Sequence, residues 1–353
     1  MHGSGASRRD ACARRSLCFQ RDLEDAAWDE LLAHAELLSG DGGRRPLLAG
    51  KRFAMLFLAP SLRTRTAFEV ACWDLGAHAI ALQPGEASWA LEHRPRAIMD
   101  GAAAEHVSEA VGVLSRMTDG IGVRAFASLK DLADDVAEPV LAAVARAATV
   151  PVLNLESALD HPHQGLADAL TVRRRVGERC KVVVTWAPHV RPLPMAVPSA
   201  AVQAFAREGH DVVLAHPEGF ELPDDVLAEA RAASTRRGGT LVVTHDRDEA
   251  FDGARVVYAK AWGSSSRYGD AEGGAASVRR PEWMLRARDL ARGDQAHFMH
   301  CLPVRRNVVV EDAVLDGPRS LVFEQASARL DVQRATLCRA VGVDPADHQE
   351  TAC

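Results

Sequence analysis

Lysine and aromatic residues are scarce in this 353-residue chain. Only four of its 42 basic residues are lysine, aromatic side chains make up 5% of the sequence, and the net charge is −6 with histidine neutral. Surfaces that bind single-stranded nucleic acid combine positive charge with stacked aromatic rings, and anionic membranes also attract positive charge. We therefore expect neither nucleic acid nor a membrane as a partner.

The sequence also lacks long apolar runs and paired cysteines. No run approaches the about 18 apolar residues that a membrane-spanning helix requires. The seven cysteines are odd in number, scattered and never spaced as Cys-x-x-Cys. This usage indicates reduced thiols in a cytoplasmic protein rather than a disulfide framework or a zinc site. The phosphate-binding motif GxxxxGK[ST] is absent as well.

Short apolar runs alternate with longer amphipathic stretches along nearly the whole chain. The predicted strands are RFAMLFL, AHAIAL, GIGVRAF, VPVLNLE, KVVVTW, DVVLAHP, TLVVTH, ARVVYAKAW, AHFMHCL and SLVFE. Continuous Val, Ile and Leu strands separated by helices are typical of parallel sheets covered on both faces. The pattern predicts an α/β protein with two doubly wound domains, and a boundary between residues 157 and 170.

Polar side chains follow the predicted strands directly. In chain order they are SLRTRT (61–66), Arg124, Glu156 with HPHQ (161–164), His189, Lys260 and CLPVRR (301–306). Ligands of open α/β proteins bind outside the carboxyl ends of the strands. The clustering therefore predicts a binding site there.

SLRTRT has the composition of a small phosphate site. It joins a strand to a helix N-terminus, where unpaired N–H groups favour an anion. Ser61, Thr64 and Thr66 add hydroxyl groups, and Arg63 and Arg65 add planar forks that match phosphate oxygens. The alternative is a helix cap with two exposed arginines.

Histidines occur in two further motifs. In HPHQ, His161 and Gln164 at a helix start can reach one small carbonyl compound, although His161 is equally suited to capping or packing. In AHFMHCLPVRRN, His297 and His300 suggest metal ligands, but residues at i and i+3 of a strand face opposite sides. The rival interpretation is a metal-dependent hydrolase whose ligands are His161, His163, His297 and His300. Our own prediction is that the protein has no metal site. Leu302-Pro303 is either a cis peptide that directs a carbonyl group or an ordinary strand end.

SLRTRT, HPHQ and HCLPVRRN, in this order, resemble the motifs of carbamoyltransferases, and the Cys-Leu-Pro form resembles the ornithine-type branch. LQPGEASWALE, IGVRAF, VVVTWAPHVRPLPMAVP and VVYAKAW resemble the N-acetylornithine and N-succinylornithine carbamoyltransferases, nearer to the succinyl type. The resemblance covers roughly residues 20–345. It implies a homotrimer with shared active sites that moves the carbamoyl group of carbamoyl phosphate to a small amine without a cofactor. A catalytically inactive binding relative is disfavoured by the intact motifs.

The resemblance also implies boundaries and site residues. We expect a disordered leader over residues 1–18, a carbamoyl-phosphate-binding domain over 19–160, an acceptor-amine-binding domain over 161–328, and a C-terminal helix and tail over 329–353 that return to the first domain. The implied carbamoyl phosphate ligands are Ser61, Leu62, Arg63, Thr64, Arg65, Thr66, Trp89 of the neighbouring subunit, Arg124, His161, Gln164, Leu302 and Arg305. The implied acceptor ligands are Ala104, Glu156, His189, Lys260, Cys301 and Arg329. The residues expected to be catalytic are His161, Arg124, Gln164, Cys301 and Arg305.

Departures from the family pattern concern the acceptor. Val309 replaces a lysine of the acetylornithine type, as in the succinyl type. Ala104 stands at the position where, in the family, an acid selects the acetylated acceptor and a proline selects the succinylated one. Gln325 and Ala328 replace a glutamate and an asparagine. The main prediction is transfer to N-succinylornithine or N-acetylornithine, and the alternative is a specialised enzyme that makes a ureido group on another amine, such as 2,3-diaminopropionate in a peptide antibiotic.

Overall fold

The computed structural model describes residues 8–177 and 179–351, which fall into two compact units. Unit 1 comprises the chain up to Phe126, Ala137–Ser157 and the chain from Leu330 onward. Unit 2 comprises Ala127–Val136 and Ala158–Arg329. The domain boundary predicted after residue 160 lies between residues 157 and 158. The chain also makes an earlier excursion into unit 2 over 127–136, which was not predicted.

Buried polar contacts explain that excursion. The Asp135 carboxylate accepts hydrogen bonds from the backbone N–H groups of Ser128 and Leu129 and from the Tyr268 hydroxyl, all within unit 2. A buried carboxylate needs such donors. Ser128 and Leu129 belong to the segment itself, so the Tyr268 hydroxyl is the donor that ties it to the rest of unit 2.

Unit 1 is built on a parallel sheet of four strands in the order β2-β1-β5-β6. Its buried positions are dominated by branched aliphatic side chains, as expected for strands covered on both faces. A short parallel pair, β3 and β4, lies outside this sheet. The strands are β1 Arg52–Phe57, β2 His78–Leu82, β3 Leu91–Glu92, β4 Glu105–His106, β5 Gly120–Arg124 and β6 Val152–Glu156. The helices that lie wholly in unit 1 are α1 Arg8–Arg15, α2 Asp25–Leu37, α3 Arg63–Asp74, α4 Val107–Met117 and α6 Pro139–Ala147.

Unit 2 is built on a parallel sheet of five strands in the order β11-β10-β7-β8-β9. Its largest hydrophobic cluster includes Trp186, Phe205, Tyr258 and Trp262. The strands are β7 Lys181–Trp186, β8 Asp211–Ala215, β9 Thr240–Thr244, β10 Val256–Lys260 and β11 His297–Met299. Its helices are α5 Leu132–Val136, α7 Pro162–Arg175, α8 Ala196–Arg207, α9 Asp224–Arg237, α10 Arg247–Phe251, α11 Ala271–Ser277, α12 Ala287–Leu290 and α13 Asp312–Leu315, followed by the start of α14 Val322–Val341.

The α/β class and the parallel sheets predicted from the sequence are confirmed, but two local predictions differ from the structure. SLVFE, predicted as a strand, contributes only a bridge between Ser320 and Phe298 before α14 begins at Val322. A run of three apolar residues, 321–323, does not distinguish a strand period from a helix period, whereas burial at 325, 328, 329 and 332 follows a helix. The leader predicted as disordered contains α1, and Leu17 is buried and bridges Leu153. Residues 1–7 lie outside the described residues.

No helix in the described ranges is both long enough and apolar enough to cross a membrane.

Candidate active site

SLRTRT, here called the SLRTRT loop, runs from the connection after β1 into the first turn of α3, in unit 1. Helix α3 begins at Arg63, and the Ser61 hydroxyl accepts a hydrogen bond from the Thr64 N–H at 3.2 Å. Thr64 is buried, while Leu62 and Thr66 are exposed. The predicted strand–loop–helix context is present, and it gives the loop the helix N-terminus that an anion site requires.

The Arg65 guanidinium has two protein partners within unit 1. Its Nε donates to Glu69 Oε1 at 2.9 Å and its Nη1 to Gln83 Oε1 at 3.2 Å. To bind phosphate, Arg65 has to share or exchange these partners.

Arg124 and Glu156 end adjacent strands of the same sheet and pair with each other. Nη1 of Arg124 donates to Glu156 Oε2 at 2.5 Å, and its Nε donates to the Pro60 carbonyl oxygen at 3.3 Å. The guanidinium also lies 4.4 Å from the centre of the Phe126 ring. Arg124 is thus anchored to the loop that precedes α3, and Glu156, predicted as an acceptor ligand, contacts a predicted phosphate ligand.

Trp89 and Ala104 lie just before the short strands β3 and β4 respectively. The Trp89 indole Nε1 donates to Glu105 Oε2 at 2.7 Å, one residue from Ala104. Trp89 is 59% exposed and Ala104 is exposed as well. Both side chains are therefore accessible on the surface of unit 1, as residues that serve a neighbouring subunit would have to be.

In unit 2, His161 and Gln164 lie at the start of α7. His161 is the residue before the first helical turn, and its carbonyl oxygen accepts the N–H groups of Gln164 and Gly165. Both side chains are buried. Gln164 Nε2 donates to Asp168 Oδ1 at 2.7 Å, one turn further along the helix. The Pro162 at the first helical position is pre-organised for this turn.

The loop after β11 carries Cys301, Leu302 and Arg305. The peptide bond between Leu302 and Pro303 is cis. The Leu302 N–H donates to His300 Nδ1 at 2.9 Å, and the His300 N–H donates to Gln325 Oε1 at 2.9 Å. The loop is therefore held by a buried side chain from α14.

His189, Arg305 and Lys260 act on one another electrostatically. Arg305 Nε donates to His189 Nε2 at 3.1 Å, so His189 Nδ1 carries the proton and donates to the Arg191 carbonyl oxygen at 2.8 Å. Burial lowers the pKa of His189, and the charges of Lys260 and Arg305 lower it further. Lys260 is buried at the end of β10, where its Nζ donates to the Ala261 carbonyl oxygen at 3.1 Å. The group is a neutral imidazole beside two cations.

Asp168 and Tyr258 are polar residues that the sequence reading did not single out. Burial raises the pKa of Asp168 to about 7, although hydrogen bonds from Gln164 and Gln325 and the charge of Arg329 oppose the rise. Burial also raises the pKa of Tyr258 well above its ordinary value. Arg329 is itself buried and lies close enough to Asp168 to affect its pKa. A carboxylate four residues after Gln164, within the apolar part of the helix, was the available signal.

The rival hydrolase reading depended on His161, His163, His297 and His300. Within the described ranges, the one group of three His, Cys, Asp or Glu side chains with mutually close ligand atoms is Glu30, His34 and Asp344, in unit 1. The four histidines of the rival reading do not form such a group. The hydrolase reading therefore has no structural support.

Each unit is thus an α/β domain with polar residues beyond its strands, a strand-to-helix loop suited to an anion in unit 1 and a His-x-x-Gln helix start in unit 2. The family model for the aspartate/ornithine carbamoyltransferase carbamoyl-P binding domain matches residues 15–174, and the model for the Asp/Orn binding domain matches residues 196–340. The chain belongs to the aspartate/ornithine carbamoyltransferase family and is a carbamoyltransferase.

Characterised relatives and solved structures support this assignment. N-acetylornithine carbamoyltransferase of Xanthomonas campestris pv. campestris is 39% identical over an alignment of 343 residues, and the match covers 91% of this chain and 96% of that protein. N-succinylornithine carbamoyltransferase of Bacteroides thetaiotaomicron is 39% identical over 280 residues, and the match covers 79% of this chain and 84% of that protein. The crystal structure of acetylornithine transcarbamylase complexed with acetylcitrulline gives a TM-score of 0.87 at 38% identity, covering 90% of this chain and 96% of that one. The structure of a variant of N-acetyl-L-ornithine transcarbamylase complexed with carbamyl phosphate and N-succinyl-L-norvaline gives a TM-score of 0.89 at 38% identity, and the match covers 91% of this chain and 98% of that one.

Proposed function

We propose that this enzyme moves the carbamoyl group of carbamoyl phosphate to the side-chain amine of an N-acylated ornithine, N-succinylornithine or N-acetylornithine, and releases phosphate. The observation that carries the proposal is the likeness, over nine-tenths of the chain, to a transcarbamylase structure with acetylcitrulline bound. Acetylcitrulline is the carbamoylated form of N-acetylornithine. The likeness therefore supports an acylated acceptor.

The residues of unit 1 suit the phosphate. In the proposal, the N–H groups at the start of α3, the hydroxyl groups of the loop and the Arg63 guanidinium bind the phosphate oxygens. Arg124 contributes a second guanidinium, which Glu156 and the Pro60 carbonyl oxygen hold in place. A dianion bound in this way is also a good leaving group, because its charge is already stabilised.

The residues of unit 2 suit the carbamoyl group. Attack of the amine on the carbamoyl carbon places negative charge on its oxygen, and a donor placed for that oxygen contributes about 3 to 4 kcal/mol. We assign this contact to His161 and the amide contact to Gln164. An aliphatic amine of pKa about 10 must first lose a proton, which costs about 4 kcal/mol at neutral pH. That first proton goes to solvent. As the new N–C bond forms and the C–O bond to phosphate breaks, the attacking nitrogen loses a second proton, which the leaving phosphate accepts in the proposed reaction.

Ala104 and Val309 support an acylated acceptor over free ornithine. Ala104 brings no charge to a position where, by the resemblance, a glutamate would repel a succinyl carboxylate. Val309 is buried in the hydrophobic cluster of unit 2 and brings no charge either. Gln325 and Ala328, which suggested a different amine, are both buried. Their influence on an acceptor is indirect, so the acylornithine proposal takes precedence over the antibiotic-type alternative.

We also propose a homotrimer, as the resemblance implies. Helices α3 and α4 of unit 1 carry exposed apolar side chains, including Trp73 at 82% and Met117 at 59% exposure. Apolar surface of this kind is common at protein interfaces. Light scattering coupled to size exclusion measures the mass directly, and an active monomer would contradict the proposal.

Carbamoyl phosphate labelled with carbon-13 provides the test of the reaction. With N-succinylornithine or N-acetylornithine present, we expect the label in a ureido group on the side-chain nitrogen and one phosphate released per ureido group formed. Phosphate release without a ureido product would indicate hydrolysis and overturn the proposal.

A further inference from the structure

The carboxylate of Asp168 lies at the centre of a buried hydrogen-bond network in unit 2. Its Oδ1 accepts from Gln164 Nε2 at 2.7 Å and from Gln325 Nε2 at 2.6 Å. Gln325 Oε1 in turn accepts from the His300 N–H at 2.9 Å. The network therefore connects the first turn of α7 to the loop that carries Leu302.

This network fixes which end of the Gln164 amide faces Asp168. A carboxylate oxygen without a proton only accepts hydrogen bonds, so Gln164 has to present Nε2 to Asp168 and leave Oε1 on the other side. If Asp168 binds a proton at Oδ2, Oδ1 still accepts both bonds. In the part of the chain that the structure describes, Gln164 Oε1 is buried and has no hydrogen-bond partner. Buried carbonyl oxygens are normally paired, so Oε1 is an acceptor that a ligand donor can satisfy.

We propose that Asp168 is a positioning residue that makes Gln164 present Oε1, and not Nε2, to the bound substrate, and that the enzyme thereby selects carbamoyl phosphate over acyl phosphates. The proposal rests on the proposed function, in which Gln164 contacts the carbamoyl NH2. That NH2 group donates to Oε1. Acetyl phosphate has a methyl group in its place, which would leave Oε1 buried and unpaired.

Asp168→Asn is the first test. Asparagine can present either an oxygen or an NH2 group to the two glutamines. The charge of Arg329, which acts on the residue at 168, attracts the asparagine oxygen and leaves the NH2 group facing Gln164. Gln164 then has to turn Oε1 toward residue 168 and Nε2 toward the substrate. Nε2 and the carbamoyl NH2 group are both donors, so no hydrogen bond forms between them.

Isothermal titration without any acceptor gives the dissociation constants of carbamoyl phosphate and of acetyl phosphate separately. We expect Asp168→Asn to weaken carbamoyl phosphate binding about tenfold or more and acetyl phosphate binding less than about twofold. An unchanged constant for carbamoyl phosphate, or a parallel loss for both ligands, would overturn the role of Asp168.

The double variant Asp168→Asn/Gln164→Glu supplies the rescue. Glutamate at 164 has only acceptor oxygens, so one oxygen accepts from the asparagine and the other accepts from the carbamoyl NH2, with the total charge unchanged. We expect most of the selectivity between the two phosphates to return. Selectivity no better than in Asp168→Asn contradicts the proposal, and if that variant does not fold, the selectivity of the double variant decides alone.

Asp289→Asn is the matched control. Asp289 is also a buried carboxylate of unit 2, but it accepts from Arg247 and from the Arg286 N–H. We expect its selectivity to equal that of the wild type, and an equal loss in this variant would show that Asp168 has no special role. If the wild type binds carbamoyl phosphate but transfers its carbamoyl group to no amine, the proposed function fails. If transfer is intact and Asp168→Asn keeps its selectivity, only the role of Asp168 fails.

Discussion

Nη1 of Arg124 lies 2.5 Å from Oε2 of Glu156, so the last residues of β5 and β6, a buried arginine and a partly buried glutamate, form an ion pair inside unit 1. The register between the two strands shifts at this point, and Glu156 has a φ of 148°, which residues other than glycine rarely adopt. The local backbone strain is consistent with a functional constraint. The pair holds Arg124 against the loop that we assign to phosphate.

Glu156→Ala should lower the free energy of unfolding by about 3 kcal/mol, because it leaves the Arg124 guanidinium buried without its carboxylate. Urea unfolding measures this change. Glu156→Gln is the matched variant, and we expect a smaller loss because the amide oxygen still accepts from Arg124. Equal stability of wild type and Glu156→Ala would show that the ion pair does not stabilise unit 1.

Arg63→Ala should abolish detectable carbamoyl phosphate binding while the protein stays folded, because a dianion loses charge-assisted hydrogen bonds. Arg65→Ala is the control. Part of the Arg65 guanidinium is engaged by Glu69 and Gln83, so we expect this variant to weaken carbamoyl phosphate binding without abolishing it. Titration calorimetry and circular dichroism measure both properties. Unchanged affinity in Arg63→Ala would remove the phosphate assignment from the loop.

The His189 contact should make stability depend on pH. The pKa of His189 lies below its ordinary value of 6.5, mainly because the ring is buried, so the unfolded chain binds this proton more readily than the folded one. Stability contributed by the neutral ring is present above pH 6.5 and is lost as the pH falls below it. We expect the free energy of unfolding of wild type, relative to His189→Gln, to decrease from pH 7 to pH 5. Urea unfolding of both proteins at intervals of about one pH unit measures this difference. A difference that is constant, or that grows on acidification, contradicts this assignment.

Trp89→Ala and Arg63→Ala should complement each other if Trp89 serves a neighbouring subunit. Each variant alone should be inactive, whereas mixed and reassembled subunits should recover part of the wild-type rate, because a closed ring has heterologous interfaces. Activity after reassembly is the measurement, and each variant reassembled alone is the control. No recovery in mixtures that contain both chains would place Trp89 in its own subunit's site.

The sequence predicted the elements with strong local signals. Runs such as KVVVTW became strands at nearly the expected bounds, and the step from FAMLFL to SLRTRT became a strand, a loop and a helix start. Periodicity and helix-terminus chemistry are local, so they can be read from neighbouring residues.

Long-range contacts were not predictable in this way. Gln325 Nε2 meets Asp168 Oδ1 across 157 positions of the sequence, and nothing near either residue indicates the other. The same reason explains why 127–136 was placed in the first domain: its tie to Tyr268 spans 133 positions. Gln325 looked like a change in the acceptor site and proved to be an internal support of the loop after β11.

The most direct test of the acceptor is a comparison of N-succinylornithine, N-acetylornithine, ornithine and a 2,3-diaminopropionate derivative, each with carbamoyl phosphate, in wild type and Ala104→Glu. Phosphate release gives kcat/KM for each amine. We expect an acylornithine to be the best substrate of the wild type, and Ala104→Glu to lower the rate with N-succinylornithine relative to N-acetylornithine by about tenfold, because two like charges then meet. Free ornithine as the best substrate, or an unchanged order of acyl groups in Ala104→Glu, would contradict the account.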